Sequence, residues 1–220
     1  AGKRERAPNA PPYGEILFRV GNTEGNSINK EIPMSAINQG KIMIASDIHG
    51  SAHWCEKLVR AFEKEKPQKL LLLGDLLYHG PRNPLPDEYS PKRVAELLNS
   101  LKTHILCVRG NCDAEVDQML LEFPVLADYA VLLAGEKTLF ATHGHLFGPE
   151  NPPALCPGEL LLNGHFHVPC HKQLPGGILY VNCGSVALPK DGTPHSYALF
   201  DGGELLWKDL DGNIFDRLAL

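Results

Sequence analysis

A chain of 220 residues, 43 % of them hydrophobic, is long enough for one large domain with a well-buried core. Its net charge of −5, with no long basic run beyond the first few residues, argues against a nucleic-acid duplex or an anionic membrane as an obligate partner. No apolar run approaches the roughly 20 residues that cross a bilayer, and the six cysteines (Cys55, Cys107, Cys112, Cys156, Cys170, Cys183) lack the spacing of a disulfide framework, so the chain reads as a cytoplasmic protein with reduced thiols.

Residues 1–40 stand apart. Residues 7–13 are proline-rich, 21–29 are polar with glycine, and only 15–20 has strand character. Too few apolar side chains are present to offset the entropy of ordering this stretch. The expectation is an N-terminal extension, tag or arm, followed by a single domain over 41–220. Lys3, Arg4, Glu5 and Arg6 precede proline and glycine rather than the apolar core of a secretory leader, and Met34 is a candidate natural start.

From Lys41 onward short apolar runs alternate with helical patterns. Residues 42–45 form a strand. Ser51 can cap a helix whose apolar face is Trp54, Leu58 and Phe62, ended by Pro67. Residues 70–73 form the next strand. Ser90 and Pro91 signal a second helix with a stripe of Val94, Leu97 and Leu98 before a strand at 105–108. Strands follow at 139–142, 160–162, 178–181, 196–200 and 204–207, the last two joined by a hairpin turn at Asp201, Gly202 and Gly203. An α/β layered sandwich fits, beginning with βαβ units and ending in antiparallel strands.

Five of these strands break into turns carrying metal-ligand residues: Asp47 and His49; Gly74 and Asp75; Gly110, Asn111, Cys112 and Asp113; His143, Gly144 and His145; His165 and His167. Each turn alone has a bland alternative. Asp47 or Asp75 caps a following helix with His49 facing solvent, Asn111 occupies an ordinary tight turn, and an isolated histidine is a satisfied polar group. Two histidine pairs behind apolar strands shift the balance to metal, because turns at the carboxyl ends of strands in an open sheet converge on one crevice. Mixed imidazole, carboxylate and amide ligation suits Mn²⁺ first, with Fe, Zn²⁺ or Ni²⁺ as alternatives, and has too many nitrogens for Ca²⁺. Seven protein ligands are too many for one catalytic ion with an open position, so two ions are expected, about 3.5 to 4 Å apart.

The order Asp-x-His, Gly-Asp, Gly-Asn-x-Asp, His-Gly-His, Gly-His-x-His resembles the calcineurin-like metallophosphoesterase superfamily from about Lys41 into the final strands. The stretches 79–83, 108–121 (VRGNCDAEVDQMLL) and 142–151 (THGHLFGPEN) look like a bacterial phosphodiesterase of that family. The resemblance implies a four-layer αββα sandwich. It also implies a first ion on Asp47, His49 and His167, a second on Asn111, His143 and His165, and Asp75 bridging. Many members have histidine after the metal-binding asparagine; Cys112 stands there in this chain, which removes the usual proton donor. The later Asn-Pro-Gly-Ser turn of relatives is Asn182-Cys183-Gly184-Ser185.

The activity so implied is a dinuclear phosphodiesterase in which a hydroxide bridging the ions attacks a small phosphodiester in line. Asp113 is expected to orient an imidazole rather than ligate. His145 and His79 are candidates for contacting substrate or leaving group, and Arg82 for clamping a phosphate oxygen. A diester is preferred to a monoester because only Arg82 and Arg109 are evident cations near the site. The alternatives are a phosphomonoesterase on the same site, a non-catalytic scaffold of the same fold, as in the retromer scaffold subunit, and a nuclease. The lack of a basic, aromatic-interleaved stripe makes long nucleic acid a poor substrate. A homo-oligomer is compatible with everything read so far.

Overall fold

The structure, a computed structural model, describes residues 40–134 and 137–220. The strand expected at 15–20 and nearly all of the expected N-terminal extension lie outside the described residues.

In chain order the elements are β1 (Ile42–Ala45), α1 (Ala52–Glu65), β2 (Lys69–Leu72), α2 (Pro91–Ser100), β3 (Ile105–Cys107) and the short α3 (Glu115–Gln118). Eight strands follow: β4 (Ala130–Ala134), β5 (Lys137–Ala141), β6 (Leu160–Asn163), β7 (Cys170–Gln173), β8 (Leu179–Asn182), β9 (Ser196–Asp201), β10 (Glu204–Asp209) and β11 (Ile214–Ala219). The first sheet has the order β11-β10-β9-β1-β2-β3, with β1, β2 and β3 parallel and the rest antiparallel. The second has the order β4-β5-β6-β8-β7, with β5, β6 and β8 parallel.

The helices start where their signals stand. Ser51 Oγ accepts the Trp54 N–H at 3.3 Å, and α1 ends at Lys66, whose left-handed backbone lets its N–H reach the Phe62 carbonyl. Pro91 opens α2, where its missing N–H costs nothing. Trp54 packs, partly buried, against the core on the expected face and also stacks on His195 with ring centroids 3.4 Å apart. The hairpin between β9 and β10 turns at Gly202 and Gly203, both with positive φ.

Period-two alternation sorts each strand between two cores. Met43, Leu70, Leu72, Tyr197 and Leu199 pack against Cys55, Leu58 and Phe62 of α1 and Val94 and Leu98 of α2. Their neighbours Ile44, Leu71, Leu73, Phe200 and Trp207 face the second sheet, meeting Leu139, Leu160, Leu162 and Val181. Each such buried aliphatic side chain contributes on the order of 1.5–3 kcal/mol. The outer face of the second sheet carries a smaller cluster of Leu161, Leu174, Ile178 and Tyr180. Among the described residues no helix longer than the 3₁₀ turn Pro175–Gly177 lies in that part of the chain. The α/β sandwich is therefore the expected one, with its fourth layer made largely of loop. The parallel strands of both sheets place their carboxyl ends at one crevice, where the ligand-bearing turns sit.

Candidate metal centre

The seven side chains expected to ligate converge. Asp47 Oδ1 stands 3.4 Å from His49 Nε2 and 3.2 Å from His167 Nε2, and the two ring nitrogens are 3.4 Å apart. On the other side His143 Nε2 lies 3.1 Å from Asn111 Oδ1 and 3.2 Å from His165 Nδ1. Asp75 Oδ2 stands between the groups, 3.7 Å from His49 Nε2 and 3.4 Å from His143 Nε2. Bonds of about 2.0–2.1 Å to a shared cation would place its ligand atoms roughly 3.0–3.4 Å apart. Asp47 Oδ1 is buried and makes no hydrogen bond although two imidazole nitrogens face it. Lone-pair donors facing one point without a shared proton suit a cation, so the donor set fits the divalent ions that the sequence implies.

The lattice of supporting bonds fixes which atoms face inward. The second nitrogen of three imidazoles bonds a backbone carbonyl: His49 Nδ1 to Tyr78 O at 2.8 Å, His143 Nδ1 to Leu73 O at 2.6 Å, and His167 Nδ1 to Leu188 O at 2.6 Å. With a proton on each Nδ1, Nε2 presents its lone pair to the centre. Asp47 Oδ2 accepts the His165 N–H at 2.9 Å, and Asp75 Oδ1 accepts the Cys112 N–H at 2.8 Å. The helix-entry alternative for these turns is thereby excluded: His49 is 1 % exposed and Asp75 holds a neighbouring turn rather than a helix end.

Asp47 and His49 lie in the connection that follows β1. Both have left-handed backbone, as do Asp75, His165 and His167; these are five of the eight non-glycine residues with positive φ among the described residues. Such conformations cost on the order of 1–3 kcal/mol each and persist where surrounding bonds over-determine them. Close approach of the turns also demands glycine. A Cβ on Gly110 would stand 2.1 Å from Asp75 Oδ1, and one on Gly164 would stand 2.7 Å from Asp47 Oδ2.

Electrostatics follow the same division. Burial opposes charge on Asp47, but His167 and His49 beside it hold its carboxyl well below the usual range. Burial likewise opposes ionisation of Asp75, and His143 outweighs it and lowers the carboxyl. Burial disfavours a proton on His143, yet Asp75 and Asp47 raise its pKa to about 9. His165 is lowered to about 4 by burial and by the His143 charge.

The other residues singled out from sequence fare differently. Asp113 accepts from the backbone N–H groups of Asp75, Leu76 and Gly110 at 2.7–2.8 Å. It therefore ties two ligand turns together instead of orienting an imidazole. His145 lies 5.4 Å, ring to ring, from His143, with Nδ1 buried and without a partner. His79 packs edge-on to Tyr78 and Tyr89 and does not line the cleft over the metal ligands, whereas Arg82 does. Arg109 is held by Asp128 at 2.6 Å. Lys190, which carries no motif signal, lines the cleft, as does Cys112, whose thiol lies within 4.8 Å of ligand atoms of His49 and Asp75. All six cysteines are free. No helix among the described residues is long and apolar enough to cross a membrane.

A model of the calcineurin-like phosphoesterase superfamily domain matches residues 41–204. The phosphodiesterase YfcE of Escherichia coli K12 is 50 % identical over 165 residues, covering 75 % of this chain and 89 % of the relative. A solved structure of YfcE, described as a phosphoesterase from E. coli, matches with TM-score 0.78 and 48 % identity, covering 81 % of this chain and 98 % of the other. The probable metallophosphoesterase YsnB of Bacillus subtilis is 24 % identical over 188 residues, covering 80 % and 95 % of the two chains.

Proposed function

The chain belongs to the calcineurin-like phosphoesterase superfamily, and from that premise we propose that it is a metal-dependent hydrolase of small phosphodiesters with a dinuclear centre. Asp47, His49 and His167 would hold one ion, Asn111, His143 and His165 the other, and Asp75 would lie between them. The observation that carries this reading is the position of Asp75 Oδ2, within 3.7 Å of a ring nitrogen from each group. When bound, such ions supply Lewis acidity that activates water and neutralises phosphoryl charge. Mn²⁺ is the first candidate, since carboxylate, amide and imidazole ligands together suit it.

The protein's own residues define the rest. The backbone carbonyls of Tyr78, Leu73 and Leu188 hold three imidazoles in the ligating tautomer. Arg82 lines the cleft wall above the ligand set. His145 is the nearest imidazole outside the ligand set and is the candidate for contact with the leaving group. Cys112, standing where many members of the family have histidine, brings a thiol rather than an imidazole to within 4.8 Å of ligand atoms of His49 and Asp75. Leaving groups that depart without protonation are thus favoured.

The test compares a series of aryl and alkyl phosphodiesters under Mn²⁺. A steep fall in rate with rising leaving-group pKa is expected; equal rates with chemistry limiting would remove the proton-donor inference. The absence of diester hydrolysis together with no bound ion after manganese loading would replace the enzyme by a scaffold of the same fold.

A further inference from the structure

Two cations meet at the mouth of the metal centre from separate loops. Arg82 follows the turn at Gly80, where Asn83 Nδ2 donates to the His79 carbonyl at 2.8 Å and closes the loop. Lys190 lies in the connection between β8 and β9. Its N–H donates to the His167 carbonyl at 3.1 Å, and its own carbonyl accepts the Thr193 N–H at 3.0 Å and the Thr193 hydroxyl at 2.7 Å. Both side chains line one cleft of about 60 Å³, together with Asn83, Cys112 and four of the metal ligands. Among the described residues neither has an acidic partner, and Asp75 is the only acid lining the cleft. Other basic side chains are paired elsewhere: Arg109 with Asp128, Arg93 with Glu56 and Glu96, and Lys208 with Glu65.

Charge balance gives these two cations a role. Two divalent ions against the carboxylates of Asp47 and Asp75 leave a net charge of about +2, which a hydroxide nucleophile and the single charge of a diester neutralise. Arg82 and Lys190 then remain uncompensated on backbones held in place by hydrogen bonds. A cleft lined by one sign of charge attracts the opposite sign. Resting on the diesterase reading above, we propose that Arg82 and Lys190 form a subsite for a second anionic group, so that the preferred substrates are phosphodiesters whose non-leaving ester carries a carboxylate or a further phosphate.

The experiment uses the full-length manganese-loaded protein and three p-nitrophenyl diesters whose second ester is 2-carboxyethyl, ethyl or choline, with p-nitrophenyl phosphate as the monoester control. The expected order of kcat/KM is carboxyethyl, then ethyl, then choline, in steps of roughly tenfold carried by KM. Lys190→Glu should invert the carboxyethyl and choline esters, and Arg82→Gln should compress the series. Calorimetric Kd values for the methylphosphonate monoesters with the same three tails should follow the same order in the wild type and the same inversion in Lys190→Glu. Equal values for the three tails, an unchanged order in Lys190→Glu, or a monoester that outruns all three diesters would overturn the subsite while leaving a phosphoesterase in place. No hydrolysis of any ester would remove the diesterase reading and the subsite with it.

Discussion

The two halves of the candidate metal centre each bring two imidazoles, joined by a carboxylate on one side and an amide on the other, but they sit at different depths. Asp47, His49 and His167 are 0, 1 and 3 % exposed, whereas on the other side only His143 is buried, with Asn111 at the surface and His165 half-buried. The enclosed half has each imidazole anchored by a backbone carbonyl, and its carboxylate is locked by the His165 N–H. The open half relies on an amide oxygen that adds no charge and on a histidine with its pKa depressed to about 4. Under the dinuclear reading, the enclosed half holds its ion tightly, and the open half exchanges its ion and faces substrate.

Asp75 is the element common to both, so its loss should have the largest effect. Asp75→Asn is expected to lower turnover beyond the roughly 10²–10³-fold that losing one electrostatic contact to a transition state costs. Near-normal turnover of that variant at saturating Mn²⁺ would show that the halves do not share this carboxylate.

Asp113 ties the Asp75 turn to the Asn111 turn through three backbone N–H groups. Each of these groups left buried without an acceptor costs about 1–3 kcal/mol, so Asp113→Ala should lower stability by roughly 3 kcal/mol or more in urea unfolding. An unchanged midpoint with lost activity would assign Asp113 a chemical rather than a tethering role.

Asn111→Ala tests the open half alone. The expected result is about one ion per chain by metal analysis, with the second ion weakened by at least the roughly 10–100-fold that a lost supporting contact costs. Loss of both ions together would mean that the two halves bind as one unit.

The smallest effect concerns pH. In the metal-free protein His143 keeps its proton until about pH 9, because Asp75 and Asp47 outweigh the burial that disfavours it. Below that pH a cation must displace the proton, so apparent metal affinity should rise with pH by up to about tenfold per unit for one proton released. Turnover at limiting metal should fall correspondingly on acidification. Calorimetric titration in buffers of different ionisation enthalpy measures the release directly; affinity that stays flat between pH 6 and 8 would contradict it.

Much of this architecture could be read from the chain. Apolar runs such as Leu70 to Leu73, buried on both faces, announce interior parallel strands, and Ser51 and Pro91 mark helix starts within a residue. The turns that converge on the crevice were legible because imidazole, carboxylate and amide side chains recur directly after strands. Strands β4, β7 and β11 were not anticipated. They are edge strands, and the exposed or half-buried side chains of β7 and β11 lack a period-two signal strong enough to separate them from loop. Trp54 packs against the core on the face its spacing indicates and also stacks on His195, a partner that helical periodicity does not specify.

The residue types, their order and their attachment to strand ends determined which chemistry this protein can host, because ligand identity is covalent and local. Tertiary structure alone decided which nitrogen of each histidine points inward, that five ligands adopt left-handed backbone, that Asp128 occupies Arg109, and that Lys190 reaches the cleft. Those outcomes depend on hydrogen bonds and close approaches between segments as far apart in the chain as Asp47 and Ala187, and no local pattern along the chain encodes such distances.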